Sequence, residues 1–127
     1  MSATNLWGAL PQVPEVKATY LSILREQAEV VTTHYRGVLE GEVETSTFPG
    51  KIRGALNIIA PALGYYKLSV IEVTYDLMGY GATVFNCIEE VSKECNTLGD
   101  YEQILQSYLS SDRVRHTITK LLEQSRA

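Results

Sequence analysis

Leu39-Glu40-Gly41-Glu42-Val43-Glu44-Thr45, with its continuation Ser46-Thr47-Phe48-Pro49-Gly50-Lys51-Ile52-Arg53-Gly54-Ala55-Leu56-Asn57-Ile58, decides the fold. Its period is 2: Leu39, Gly41, Val43 and Thr45 share one parity, and three glutamates take the other. Thr47-Phe48-Pro49-Gly50 supplies a turn, and Ile52, Gly54, Leu56 and Ile58 resume the alternation on a return strand. A turn centred between Phe48 and Pro49 would set Val43 across from Gly54 and Glu44 across from Arg53. That register matches apolar with apolar and acid with base.

Upstream the period is 3.6. Val16, Tyr20, Ile23, Leu24, Ala28, Val31 and Tyr35 trace a helical stripe, with Pro14 suited to the opening turn and Gly37 to the C-terminal cap. Before it, residues 1–13 form an arm punctuated by Pro11 and carrying Leu6, Trp7 and Leu10. A tryptophan in such a segment implies docking, on its own domain or on a partner.

Downstream, Ala60 to Gly64 connects to a third strand, Tyr65–Asp76. Here Leu68 and Val70 hold one parity, while Ile71, Val73 and Tyr75 hold the other, which Ile59 shares. Either a bulge switches the phase or the sheet is covered on both faces. Met78 to Gly81 turns into a fourth strand, Ala82–Ile88, and Glu89–Asn96 is polar without a clear period. Asp100 with Gln103 signals a helix carrying Tyr101, Ile104, Leu105, Tyr108 and Leu109. Ser110-Ser111-Asp112 signals another, with Val114, Ile118, Leu121 and Leu122 inward. The expectation is one α+β domain over residues 1–127: an N-terminal helix, a four-stranded antiparallel meander, and one or two C-terminal helices packed on the sheet.

Composition narrows the function classes. A net charge of −4 argues against a nucleic-acid-coating protein. The basic residues of the last helix (Arg113, Arg115, His116, Lys120, Arg126) are diluted by Asp112 and Glu123. Two cysteines do not make a disulfide scaffold, and the first residues lack the basic start and apolar run of a signal peptide. With no membrane-length apolar segment, a reducing cytoplasm is the expectation.

The chemistry-bearing residues each have a plain reading. Glu40, Glu42 and Glu44 would stand roughly 6.5–7 Å apart along one strand face, spaced for acid–base work but read first as a solvated face. Asp112 and His116 form an i, i+4 surface pair, and His34 complements a helix C-terminus. Cys87 reads as core; Cys95, in a polar connection beside Lys93, is the candidate for an exposed, reactive thiol, and the pair is read first as unlinked cytosolic thiols. Gly79-Tyr80-Gly81 reads as a hairpin. No catalytic, cofactor or metal constellation emerges.

The leading expectation is a non-catalytic interaction module, self-associating as a homo-oligomer or docking on a partner protein. Its surface would be Trp7 with the second sheet parity: Ile59, Ile71, Val73 and Tyr75. On that view Val73→Asp abolishes association and leaves a folded monomer. The alternative is a small-molecule binder with a pocket between sheet and helices lined by Tyr65, Tyr66, Tyr75 or Tyr80. A hydrolase using the glutamate strand ranks third.

Overall fold

The computed structural model describes residues 4–14 and 17–126. Helix α1 (Tyr20–His34) is followed by strands β1 (Glu40–Phe48) and β2 (Lys51–Ala60), and by a single 3-10 turn at Pro61–Leu63. Strands β3 (Tyr66–Asp76), β4 (Ala82–Asn86) and β5 (Val91–Cys95) come next, then helices α2 (Leu98–Leu109) and α3 (Asp112–Ser125). The strands form one antiparallel meander in the order β1-β2-β3-β4-β5. This is the α+β architecture read from the sequence, with five strands in place of four and two C-terminal helices.

The additional strand is β5. Only Cys95 of its five residues is buried, so no alternation betrays it. It is an edge strand held by its ladder to β4, and its charged side chains suit an edge that should not recruit another chain.

Helix α1 begins six residues after Pro14. Thr19 and Ser22 form a reciprocal cap: the Ser22 amide donates to Thr19 Oγ1 (3.0 Å) and the Thr19 amide to Ser22 Oγ (2.7 Å). Proline tolerates a first turn but offers no acceptor for the free amides there, whereas this pair satisfies two donors. Val16 lies outside the described residues. Helix α2 likewise starts from Thr97, whose hydroxyl accepts from the Asp100 amide, and not from Asp100. Asp100 instead sits in the first turn, where its charge complements the helix dipole.

The β1–β2 hairpin turns at Pro49-Gly50, one residue later than expected. Phe48 faces Lys51, so Val43 lies opposite Leu56 and Glu44 opposite Ala55. Gly50 takes φ 76°, the backbone that the second central position of a proline-led turn requires. A two-residue shift preserves parity, so the faces stay as read while the charge partners change.

The phase switch in β3 is a bulge. Leu56 pairs with Ile71 but Asn57 pairs with Ser69, leaving Val70 without a partner on β2. The extra residue brings Leu68, Val70, Ile71, Val73 and Tyr75 to the same side of the sheet. All three helices pack on that side. Gly41 lies directly beneath Ala28 of α1, Tyr101 of α2 packs on Tyr20, which in turn packs on Tyr75, and Leu121 of α3 joins the same core. Ile71 and Val73 are 0% exposed. The second apolar parity is therefore the ordinary core, which corrects the reading of Ile71 and Val73 as a docking surface.

The other side carries Glu42 and Glu44 on β1, Arg53 and Asn57 on β2, Lys67 and Glu72 on β3, and Phe85 on β4. It is left half-exposed and mostly polar. Ile59, opposite Glu40, belongs to this open face, where it is half-buried.

Candidate functional site

The tyrosines expected to share a pocket are divided between two ends of the sheet. Tyr65 and Tyr66 precede or open β3, while Tyr75 closes it and Tyr80 lies in the turn beyond. Nine residues of strand separate Tyr66 from Tyr75, about 30 Å at 3.3 Å per residue. Tyr65 and Tyr66 therefore line no pocket with the other two.

Tyr75 belongs instead to an aromatic trio. Its ring centroid is 5.1 Å from that of Tyr20, which packs edge-on against Tyr101 at 5.0 Å. The Tyr101 hydroxyl donates to the Tyr20 carbonyl (2.8 Å), tying the first turn of α2 to the first turn of α1. Burial, first of all, pushes each of these phenols above the ordinary range, so the trio stays neutral at physiological pH. Tyr20, joined at 101 by its sequence-distant partner, had no periodic signal to single it out as part of a site.

This end of the molecule gathers several exposed apolar groups. Gly50 of the β1–β2 turn accepts from the Leu77 amide (3.1 Å), so the two turns sit side by side. They display Phe48, Leu77, Met78 and Tyr80, of which Met78 is 90% and Tyr80 99% exposed. Between the β3–β4 turn and the starts of α1 and α2 lies a cleft of about 410 Å³ lined by Tyr20, Tyr75, Asp76, Leu77, Tyr80 and Leu98, with Asn96 and Thr97 as further polar groups. The chain enters α1 at Ala18-Thr19, on the rim of the same cleft, so the N-terminal arm is rooted there. Trp7 is 81% exposed, and Leu6, Leu10 and Val13 are exposed with it. Every described residue of the arm, 4–14, is exposed. The remaining exposed large apolar side chains among the described residues (Val30, Tyr65, Tyr66, Val91) are scattered elsewhere.

Two of the three glutamates of β1 share one lysine. Lys67 of β3 reaches across β2 to Glu42 (Nζ–Oε1 2.9 Å) and also bonds Glu44. Glu44 thus meets Lys67 and not Arg53. Arg53 donates to Ser46 Oγ (3.2 Å), with its guanidinium 5.2 Å from the centre of the Phe48 ring. The Lys67 ammonium holds the Glu42 carboxyl below its ordinary value of 4.5, opposite to what a general acid at neutral pH needs. Glu42 therefore favours the folded state above its unfolded pKa, and that contribution is lost as pH falls through the depressed folded value. Lys67→Met should return the Glu42 titration toward the ordinary range and flatten the acid side of the stability–pH curve. Carboxyl NMR titration at low salt, where screening is weakest, reads this directly.

The cysteines are exchanged relative to expectation. Cys95 is buried, its thiol donating to the Ala82 carbonyl (3.5 Å), while Cys87 is half-exposed at the end of β4. Burial, with the Glu72 carboxylate as a secondary cause, pushes the Cys87 thiol up to about 11. Among the described residues no group of three or more His, Cys, Asp or Glu side chains is gathered as metal ligands would be. No helix there is long and apolar enough to cross a membrane. Asp112 and His116 are both exposed on α3, as the i, i+4 reading expects.

Against this geometry stand three comparisons: no protein-family model, no curated protein and no solved structure matches the chain.

Proposed function

We propose that this chain is a non-catalytic protein-interaction module that docks through the pole at which its N-terminal arm is rooted. The observation that carries the reading is a pair of exposed apolar groups: Trp7 on the arm, and Leu77, Met78 and Tyr80 on the turn at the pole where α1 begins. Exposed aromatic and aliphatic side chains in such number are what protein-binding surfaces present, and aromatic anchors dominate their energetics. The surface differs from the sheet face first considered, since Ile71 and Val73 lie in the core. Trp7 and Tyr75 remain in it, Tyr75 as part of the cleft wall. The same reading places the protein in the reducing cytoplasm, where two unpaired thiols are ordinary.

Native mass spectrometry of protein taken gently from cells tests this reading. The expected result is a protein-bound species, homomeric or heteromeric, that Leu6→Ser with Trp7→Ser dissociates while the domain stays folded. A bare chain carrying an added small-molecule mass would replace this reading with the ligand-binding one. The observation favouring that rival is the cleft itself, whose volume falls within the range of small-molecule sites.

A further inference from the structure

We infer that the occupant of the cleft is the arm of a second copy of this chain, exchanged reciprocally about a two-fold axis. The inference rests on the docking reading above and specifies its partner. Three features of the arm and cleft carry it.

The arm ends in a pre-shaped knob. The Trp7 amide donates to Asn5 Oδ1 (2.9 Å), and Asn5 Nδ2 donates to the Gly8 carbonyl (3.0 Å), so one side chain brackets the turn that displays Leu6 and Trp7. A backbone turn already held in its presented form loses less entropy on binding than a floppy one.

The knob is carried on a stiff spacer. Leu10 and Val13 each precede a proline, which confines them to extended backbone, and Pro11 and Pro14 have fixed φ. Residues 10–14 thus form a strut of about 15 Å at the rise of a proline-rich segment. Such a strut opposes the reversal that would bring Trp7 back to the cleft at its own root, and every arm residue among those described is exposed.

The cleft and arm match in chemistry and in area. Tyr20, Tyr75, Leu77, Tyr80 and Leu98 offer an apolar body, and Asp76 an acceptor for an indole N–H, which can only donate. A tryptophan buries about 150–250 Å² and each aliphatic side chain roughly 60–120 Å², so one arm contributes about 450 Å², met by the cleft together with the exposed Leu77, Met78 and Tyr80 around it. Two such contacts total about 1,800 Å², within the roughly 1,200–2,000 Å² of a stable interface. A reciprocal contact also closes on itself, as a two-fold dimer must.

Sedimentation equilibrium of the full chain over a wide concentration range, read beside the fluorescence of Trp7 (the single tryptophan), tests the exchange. The expected result is a species of twice 14.1 kDa forming with concentration, together with a blue shift as the indole leaves water. Trp7→Ala should raise the dissociation constant about 30-fold or more, as an interface anchor does. Leu77→Asp, on an exposed turn, should do likewise from the receiving side. Mixing the two variants should recover association in part, above that of either variant alone, because the mixed dimer keeps one of its two contacts whole. A dimer indifferent to Trp7→Ala, or variants that do not complement, would overturn the exchange. So would a monomer at every concentration with solvated Trp7 emission, which leaves the docking reading standing for a different partner. A monomer whose Trp7 emission is already blue would overturn both, since the arm would then be docked on its own domain.

Discussion

Val73→Asp is expected to unfold the domain. Val73 lies in the middle of β3, with Gly54 opposite on β2 and Val84 opposite on β4, and no water reaches it. An aspartate there exchanges packed methyl groups for a carboxylate that must either ionise in an apolar medium or stay protonated without an assured partner. Either course costs several kcal/mol, and a loss above about 4 kcal/mol belongs to this class of substitution. Set against a typical total stability of about 5–15 kcal/mol, that leaves little or no folded population. Circular dichroism with urea titration of the purified variant measures it. A folded, non-associating monomer would be the opposite outcome and would return Val73 to the surface.

The bulge at Val70 explains why the sequence invites that error. Two apolar parities in one strand have two physical solutions, a sheet buried on both faces or one inserted residue, and alternation cannot choose between them. The hairpin was legible because β1 and β2 alternate cleanly, so a turn misplaced by one residue still preserved both faces. Helix α1 was legible in its body but not at its start. Periodicity reports the buried stripe, whereas the boundary belongs to the Thr19–Ser22 cap. Strand β5 had no apolar signal to read, since an edge strand needs only its ladder.

The site was legible only in part, for a related reason. Trp7 stands out by residue type, and Tyr75 and Tyr80 by composition. Their assembly depends on which strand ends meet, and that follows from topology. The meander brings the β1–β2 turn, the β3–β4 turn and the first turns of α1 and α2 to one pole, and sends Tyr65 and Tyr66 to the other. A surface recognised by exposure also has no periodic signature. Met78 and Tyr80 are conspicuous only once the fold shows that nothing covers them.

The same close packing that hides Val73 makes Gly41 a sensitive position. Helix α1 crosses β1 with no side chain between the two backbones at this point. A Cβ at residue 41 would lie 2.6 Å from the Ala28 Cα and 2.7 Å from its carbonyl carbon, and closer still to the carbonyl oxygen. These are backbone atoms of a helix, so relief requires moving α1 and not rotating a side chain. Moving it would also strain the contact in which the Gly41 amide donates to Thr32 Oγ1 (2.9 Å). That bond satisfies an outward-facing amide of the edge strand and covers part of an edge open to another chain. Overpacking a core costs about 1–3 kcal/mol when side chains can adjust, and more when a backbone must shift. Adding the loss of a hydrogen bond, about 1 kcal/mol, Gly41→Val should cost about 4 kcal/mol or prevent folding. Gly54→Ala is the control that isolates the cause. Its added Cβ would meet Leu21 Cδ2, the end of a rotatable and only half-buried side chain. That can turn aside, and alanine suits a strand better than glycine, so the net change should stay within about 1 kcal/mol. Urea midpoints of the two variants should therefore differ widely although both replace a strand glycine on the same face. Equal midpoints would mean that α1 does not lie on β1 through Gly41, and that the arm and cleft it positions are arranged differently.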